Sequence, residues 1–184
     1  GHCPPYKLSS KSMIFAVDVN YIEDKALVAG ILFEYWQGSE TICQITTKIN
    51  NISEYEPGQF YKRELPCILE ILAQLESLPE IIVVDGYVEL GSEQKPGLGK
   101  HLHDAIDGKS IIIGVAKNRF EDTPVETEVF RGGSQRPLYV TAIGTRSPEK
   151  CRVVTAHYFS IDINQVEAKN TTEQIMINIT SYIY

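Results

Sequence analysis

The sequence predicts a mixed α/β domain built on one sheet, and three observations carry that prediction. Three apolar, strand-like runs open the chain, with breaks between them short enough for antiparallel hairpins. A stretch with helical spacing follows, at Leu65, Ile68, Leu69, Leu72 and Leu75. Beyond it, short apolar runs alternate with a second helical segment, the rhythm of parallel strands joined by helices.

Taken in order, residues 13–19 (MIFAVDV) read as a mostly apolar, buried strand. Residues 26–36 (ALVAGILFEYW) form a second strand after a polar break at 20–25. Residues 40–48 (ETICQITTK) form a third after the turn Gln37-Gly38-Ser39, which completes a three-strand antiparallel meander. A loop at 50–58 holds Tyr55, Pro57 and Gly58. The first helix spans 60–78, with Pro66 near its first turn, where a missing N–H costs little. A short strand at 80–85 (EIIVVD) runs into a Gly-rich loop from Gly86 to Gly97. A helix from about 98 to 106 leads to the strand 110–116 (SIIIGVA). Strand signals recur at 125–130 and 137–143, around a flexible tip at 131–135. Ser147-Pro148-Glu149 has the chemistry of a helix start, and a stretch ending near Tyr182 suits either a helix or a strand. Three antiparallel strands followed by α-β-α-β units make a mixed sheet of the ribonuclease-H-like kind.

The chain has 184 residues, enough for one domain, and neither a repeat nor a long linker divides it. Its 43% apolar and 22% charged residues exclude wholesale disorder. No apolar run approaches the roughly 20 residues of a membrane-spanning helix, and no signal peptide precedes the first strand. Gly1-His2 reads as an expression remnant and is set aside. Cys3, Cys43, Cys67 and Cys151 form no CxxC pair, which argues against a zinc ribbon or a disulfide-dense secreted fold. A reducing compartment, hence the cytoplasm, is the expectation. The net charge of −7 argues against a general nucleic-acid coat, though not against a nuclease with an acidic metal site. Between Arg131 and Arg152 the balance reverses: Arg131, Arg136, Arg146, Lys150 and Arg152 face only Glu149. A solvated surface is the plainer reading of that stretch.

Asp18 lies near the end of the first apolar strand, where an isolated carboxylate is costly to bury unless paired or metal-bound. Asp85 repeats the pattern at the end of IIVVD, directly before a glycine. Acidic residues at such ends face the crevice of an α/β sheet. Glu64, at the start of the first long helix, either complements the helix dipole or adds a third oxygen ligand. Three carboxylates meeting at one point would suit Mg²⁺ against a scissile phosphate. His101 and His103 sit two apart on a predicted helix, on different faces, and make a poor metal pair.

Several blocks, in register and in order, resemble the endonuclease V family. They are IFAVDVNY from Ile14, YEPGQFYKRELP from Tyr55, IIVVDG from Ile81 and IIIGVAKNRF from Ile111. PGLGKHL from Pro96 and PLYVTAIG from Pro137 add weaker similarity. The resemblance covers about residues 13–147, leaving 1–12 as a tail and 148–184 as a divergent C-terminal part of one domain. It implies that Asp18, Glu64 and Asp85 bind Mg²⁺, or Mn²⁺, and that Lys117 sits at the scissile phosphate. It implies a wedge at Tyr55, Glu56, Pro57 and Gly58 that enters nucleic acid at the lesion, with Gly86 also at the substrate. The implied substrates are DNA or RNA containing inosine, the implied role is DNA repair, and the expected state is a monomer with no membrane contact.

The chain departs from the family in three places. The family follows its second aspartate with Gly-His-Gly or Gly-Gln-Gly and a His-Pro-Arg stretch, where this chain has Gly86-Tyr87-Val88-Glu89-Leu90-Gly91-Ser92-Glu93-Gln94-Lys95. Thr145 stands where the family has a catalytic histidine, and the C-terminal Arg-x-Pro-x-Pro-x-Arg stretch is absent. The leading expectation is a metal-dependent endonuclease. The alternative is a catalytically weak or inactive nucleic-acid-binding relative that kept the acidic triad but lost the base pocket and the histidine. An acidic metabolic enzyme on the same fold has no Gly-Lys phosphate motif to support it.

Overall fold

Apolar and β-branched side chains pack well on a pleated surface, and the opening runs are strands for that reason. The computed structural model describes residues 13–22, 24–34, 36, 41–50, 52, 56, 58–130 and 135–145. β1 (Ile14–Ile22) pairs antiparallel with β2 (Lys25–Phe33), which pairs antiparallel with β3 (Cys43–Asn50). The expected meander is present with shifted bounds: β2 stops before the polar Glu34, and β3 starts only at Cys43.

α1 (Tyr61–Leu72) buries Glu64, Cys67, Ile68, Ile71 and Leu72, one face at three- and four-residue spacing. It is shorter than expected. Beyond Leu72 the chain tightens, with Gln74 N–H bonded to Ile71 O at 3.2 Å and Leu75 N–H to Leu72 O at 3.1 Å. Leu75 stays buried from this turn, so its helical spacing survives although the helix does not. Pro66 lies in the helix interior rather than near its start, and the N–H that would bond the Lys62 carbonyl is missing.

β4 (Ile81–Asp85) runs parallel to β1. The Gly-rich segment after it is not an open loop, because β5 (Glu89–Leu90) and β6 (Lys95–Pro96) pair into a small ribbon. α2 (Leu98–Ala105) leads to β7 (Ile111–Ala116), which runs parallel to β4. The strand expected at 125–130 shrinks to β8 (Glu128–Val129), preceded by a 3₁₀ turn at Val125–Thr127. In that turn the Thr127 hydroxyl donates to Pro124 O at 2.7 Å and holds the backbone out of strand geometry. β9 (Leu138–Ile143) pairs antiparallel with both β7 and β8. The main sheet therefore runs β3-β2-β1-β4-β7-β9-β8, the mixed sheet expected from the sequence.

Both helices pack on one face, over a core that includes Phe15, Val17, Ile68, Ile82 and Leu102. Ile14, Ala16, Val83, Ile113 and Val115 belong to a second core on the other face. β1 runs on past the expected end at 19, so Asp18 lies midway along it, whereas Asp85 ends β4 and Lys117 follows β7. The tip at 131–134 and the segment 146–184, with its expected Ser147 helix start, lie outside the described residues. Among the described residues no helix is long and apolar enough to cross a membrane. Cys67 is free and buried, whereas Cys43 is disulfide-bonded, so Cys43 lends no support to the expected reducing compartment.

Candidate active site

Parallel strands in register send paired residues to the same face. The β1–β4 ladder ends at Val17 opposite Val84, and Asp18 and Asp85 are the next residue on each strand. Val17, Val19 and Val84 face the helix-side core. The two aspartates therefore leave the sheet together on the other face. Lys117 follows β7 and is exposed, and its positive charge reaches Asp18.

Burial pushes the Asp18 carboxyl up to about 6, with the charge of Asp85 acting in the same direction. The Val19 N–H, which donates to Asp18 Oδ1 at 2.9 Å, and Lys117 pull it back. Glu64 reaches the region from the first turn of α1 and is almost fully buried. Burial pushes it up to about 8; the Tyr21 hydroxyl opposes that, Asp18 and Asp85 reinforce it, and Arg63 opposes it. Residues remote in sequence thus sense one another's charge. They do not form a closed cage: among the described residues no three His, Cys, Asp or Glu side chains are grouped closely enough to hold a metal ion. Asp18 and Asp85 are side by side, while Glu64 approaches from the helix side of the sheet.

The backbone after Asp85 is fixed from two directions. Gly86 has φ +146°, a conformation that favours glycine, and its N–H donates to Val115 O at 2.9 Å. Val88 N–H donates to Thr141 Oγ1 at 2.9 Å. Gly114, inside β7, admits this segment: a Cβ there would collide with Gly86 O and stand 2.8 Å from Val88 N. The buried Tyr87 hydroxyl donates to Asn118 O at 2.9 Å and accepts the Phe120 N–H at 3.2 Å. A cavity of about 190 Å³ lies between the ribbon and the 3₁₀ turn, lined by Glu89, Gln94, Glu126, Thr127 and Thr141 among others. Its charged lining is acidic, and Glu93 at the ribbon tip pairs with Lys95 at 2.7 Å.

Of the predicted wedge, Glu56 and Gly58 are described and exposed, whereas Tyr55 and Pro57 lie outside the described residues. Glu56 accepts Lys62 Nζ at 2.9 Å across the start of α1. Thr145 follows Gly144 at the end of β9 and is half-buried. His101 stacks on Tyr61, with centroids 3.6 Å apart, while His103 lies beside Asp104 at 3.8 Å. Of the charged stretch from Arg131 to Arg152, Arg136 is described and exposed.

Sequence reasoning passed over Tyr21 and Arg63. The Arg63 guanidinium lies 3.7 Å from the Tyr21 ring centre, directly beside Glu64. The available signal was an aromatic three residues after Asp18 and a cation one residue before Glu64.

Comparison with known proteins identifies the chain's relatives. A family model described as endonuclease V matches residues 5–178. The endonuclease V of Haloarcula marismortui is 30% identical over 127 residues, 68% of this chain and 45% of that protein. That of Thermus thermophilus is 30% identical over 112 residues, 60% of this chain and 48% of that protein. The chain thus spans about half the length of the curated relatives it matches. Among solved structures, the catalytic domain of human endonuclease V superposes with a TM-score of 0.66 at 19% identity, covering 95% of this chain and 83% of that one. Endonuclease V of Ciona intestinalis, in complex with a 24mer DNA containing an inosine, superposes with a TM-score of 0.65 at 18% identity, covering 83% and 80%. At these identities the superpositions show a shared fold.

Proposed function

This chain belongs to the endonuclease V family, and on that premise we propose that it is a metal-dependent endonuclease. The proposed reaction is hydrolysis of a phosphodiester near a deaminated purine, deoxyinosine in DNA or inosine in RNA, in the service of DNA repair. The proposed setting is the cytoplasm, with the protein acting as a monomer. One observation carries the reading: Asp18 and Asp85 lie just past the last rung of the parallel β1–β4 ladder, and both are felt by Glu64.

The donor set fits a hard cation. All three groups offer carboxylate oxygens, and their mutual repulsion is the charge a divalent ion would neutralise. Mg²⁺ needs only one or two carboxylates when water and substrate phosphate complete its shell. Asp18, Asp85 and Glu64 would hold it, with Mn²⁺ as a substitute. Bound there, the ion would activate water and stabilise the leaving oxygen.

The chain's own residues do the rest. Lys117 offers a point charge to the scissile phosphate. Gly86 would meet the substrate beside Asp85. Tyr55, with Glu56, Pro57 and Gly58, fills the gap left by an extruded base.

Cleavage of inosine-containing DNA and RNA oligonucleotides with Mg²⁺ or Mn²⁺, read on a gel, tests the reading. Cleavage lost in Asp85→Ala supports it, and no cleavage of any inosine substrate refutes it. Tyr55→Ala should weaken binding to a lesion duplex more than to single strands; equal loss on both would remove the wedge role. Thr145 at the end of β9 and the acidic cavity beside the ribbon favour a second reading, a nucleic-acid-binding relative without catalysis. Binding of inosine oligonucleotides without cleavage would select it.

A further inference from the structure

Among the described residues, the buried side-chain polar atoms without a hydrogen-bond partner are Tyr21 Oη and Arg63 Nε. They belong to a single stack, in which the Arg63 guanidinium carbon lies 3.7 Å from the Tyr21 ring centre. Such a cation–π contact holds the ring in place. One turn along α1, Cys67 Sγ donates to Arg63 O at 3.4 Å. The Tyr21 hydroxyl faces Glu64 closely enough to favour its charged form, yet the pair does not reach hydrogen-bond geometry. Native folds rarely leave a buried donor unpaired, and those that persist call for an explanation. Here the donor lies beside the Glu64 carboxylate, with the Cys67 thiol also in its reach, and bonds to neither.

We propose that Tyr21 is a positioning residue for Glu64. Clamped by Arg63, its hydroxyl donates to the Glu64 carboxylate once that carboxylate turns toward a cation held by Asp18 and Asp85. The bond then fixes which Glu64 oxygen faces the cation. This inference rests on the metal-dependent reading above.

Mn²⁺ binding, followed by electron paramagnetic resonance without nucleic acid, tests it on wild type, Tyr21→Phe and Arg63→Met. Tyr21→Phe removes one oxygen and keeps the ring, so it should melt like wild type. Its dissociation constant for Mn²⁺ should rise about tenfold, the worth of a hydrogen bond to a charged group. Arg63→Met keeps the hydroxyl but frees the ring, and should give a smaller rise. Unchanged Mn²⁺ affinity in Tyr21→Phe overturns the proposal, as does a lowered melting temperature with unchanged affinity. A wild type that binds no Mn²⁺ overturns it too. A wild type that binds Mn²⁺ and responds to Tyr21→Phe but cleaves no inosine substrate refutes the nuclease reading and leaves this inference standing.

Discussion

Asp18 and Glu64 are carboxyls that the fold would rather keep protonated. Burial is the first cause at each, and nearby negative charge adds to it. Acids raised in the native state bind more protons folded than unfolded, so stability falls as pH rises. For the metal-free protein the favourable contribution is complete below about pH 4, the unfolded range. It is lost as pH rises through about 6 for Asp18 and about 8 for Glu64. Melting temperatures in chelator should therefore decline between pH 4 and 9, and Glu64→Gln should flatten the upper part of the decline. An equally steep decline in that variant would show that Glu64 is not the group responsible. Asp85→Ala removes a charge that raises both neighbours. It should raise the metal-free melting temperature at pH 8 while abolishing cleavage, and calorimetry beside a gel assay reads both. Asp18 and Asp85 drew notice in the sequence because a carboxylate following an apolar run is out of place. Tyr21 did not, because an aromatic in a strand is ordinary and its unpaired hydroxyl exists only in three dimensions.

At the scale of elements, the strands were legible because their side chains decide their state locally. The end of α1 was not. Leu75 keeps the apolar spacing after the helix has stopped, and neither a glycine nor a proline marks the stop. The ribbon after Asp85 was hidden for the opposite reason, since glycines suggested an open loop while two short strands paired across them. That segment's fit against β7 makes Gly114 the strictest position in the strand. Gly114→Ala should destabilise by about 1–3 kcal/mol, the usual cost of overpacking. It should also displace the backbone that follows Asp85. Denaturant titration reads the first effect; a loss of cleavage larger than the loss of folded protein reads the second.

For the whole molecule, the electrostatic question is how a chain of net charge −7 approaches a polyanion. Glu89, Glu93, Glu121 and Glu126 lie on or beside the ribbon that follows Asp85. Those not neutralised, as Glu93 is by Lys95, would repel a phosphate brought near them, and Thr145 cannot titrate near pH 7 as an imidazole would. A general acid or base typically contributes about 10²–10⁴-fold. Turnover is therefore expected to be slow, tolerant of Mn²⁺, and weakly selective for inosine over an unmodified purine. Matched inosine and adenosine oligonucleotides compared under single-turnover conditions check all three, and fast, inosine-specific cleavage in Mg²⁺ would contradict them. The family was legible from motifs, whereas the spacing of Asp18, Glu64 and Asp85 was not, because spacing depends on how α1 lies against the sheet.

Pro66 gives that spacing a mechanical side. A helix resists local distortion because each turn is laced to the next, and α1 lacks one lace between the turn bearing Glu64 and the turns bearing Ile68 and Ile71. Its first turn is consequently the compliant end of a rod anchored in the core, able to swing a carboxylate toward the strands without unwinding the rest. Pro66→Ala restores the lace. It should slow amide exchange in the first turn and raise the melting temperature. It should also raise the Mn²⁺ concentration needed for half-saturation, because the stiffened turn must now be bent to deliver Glu64.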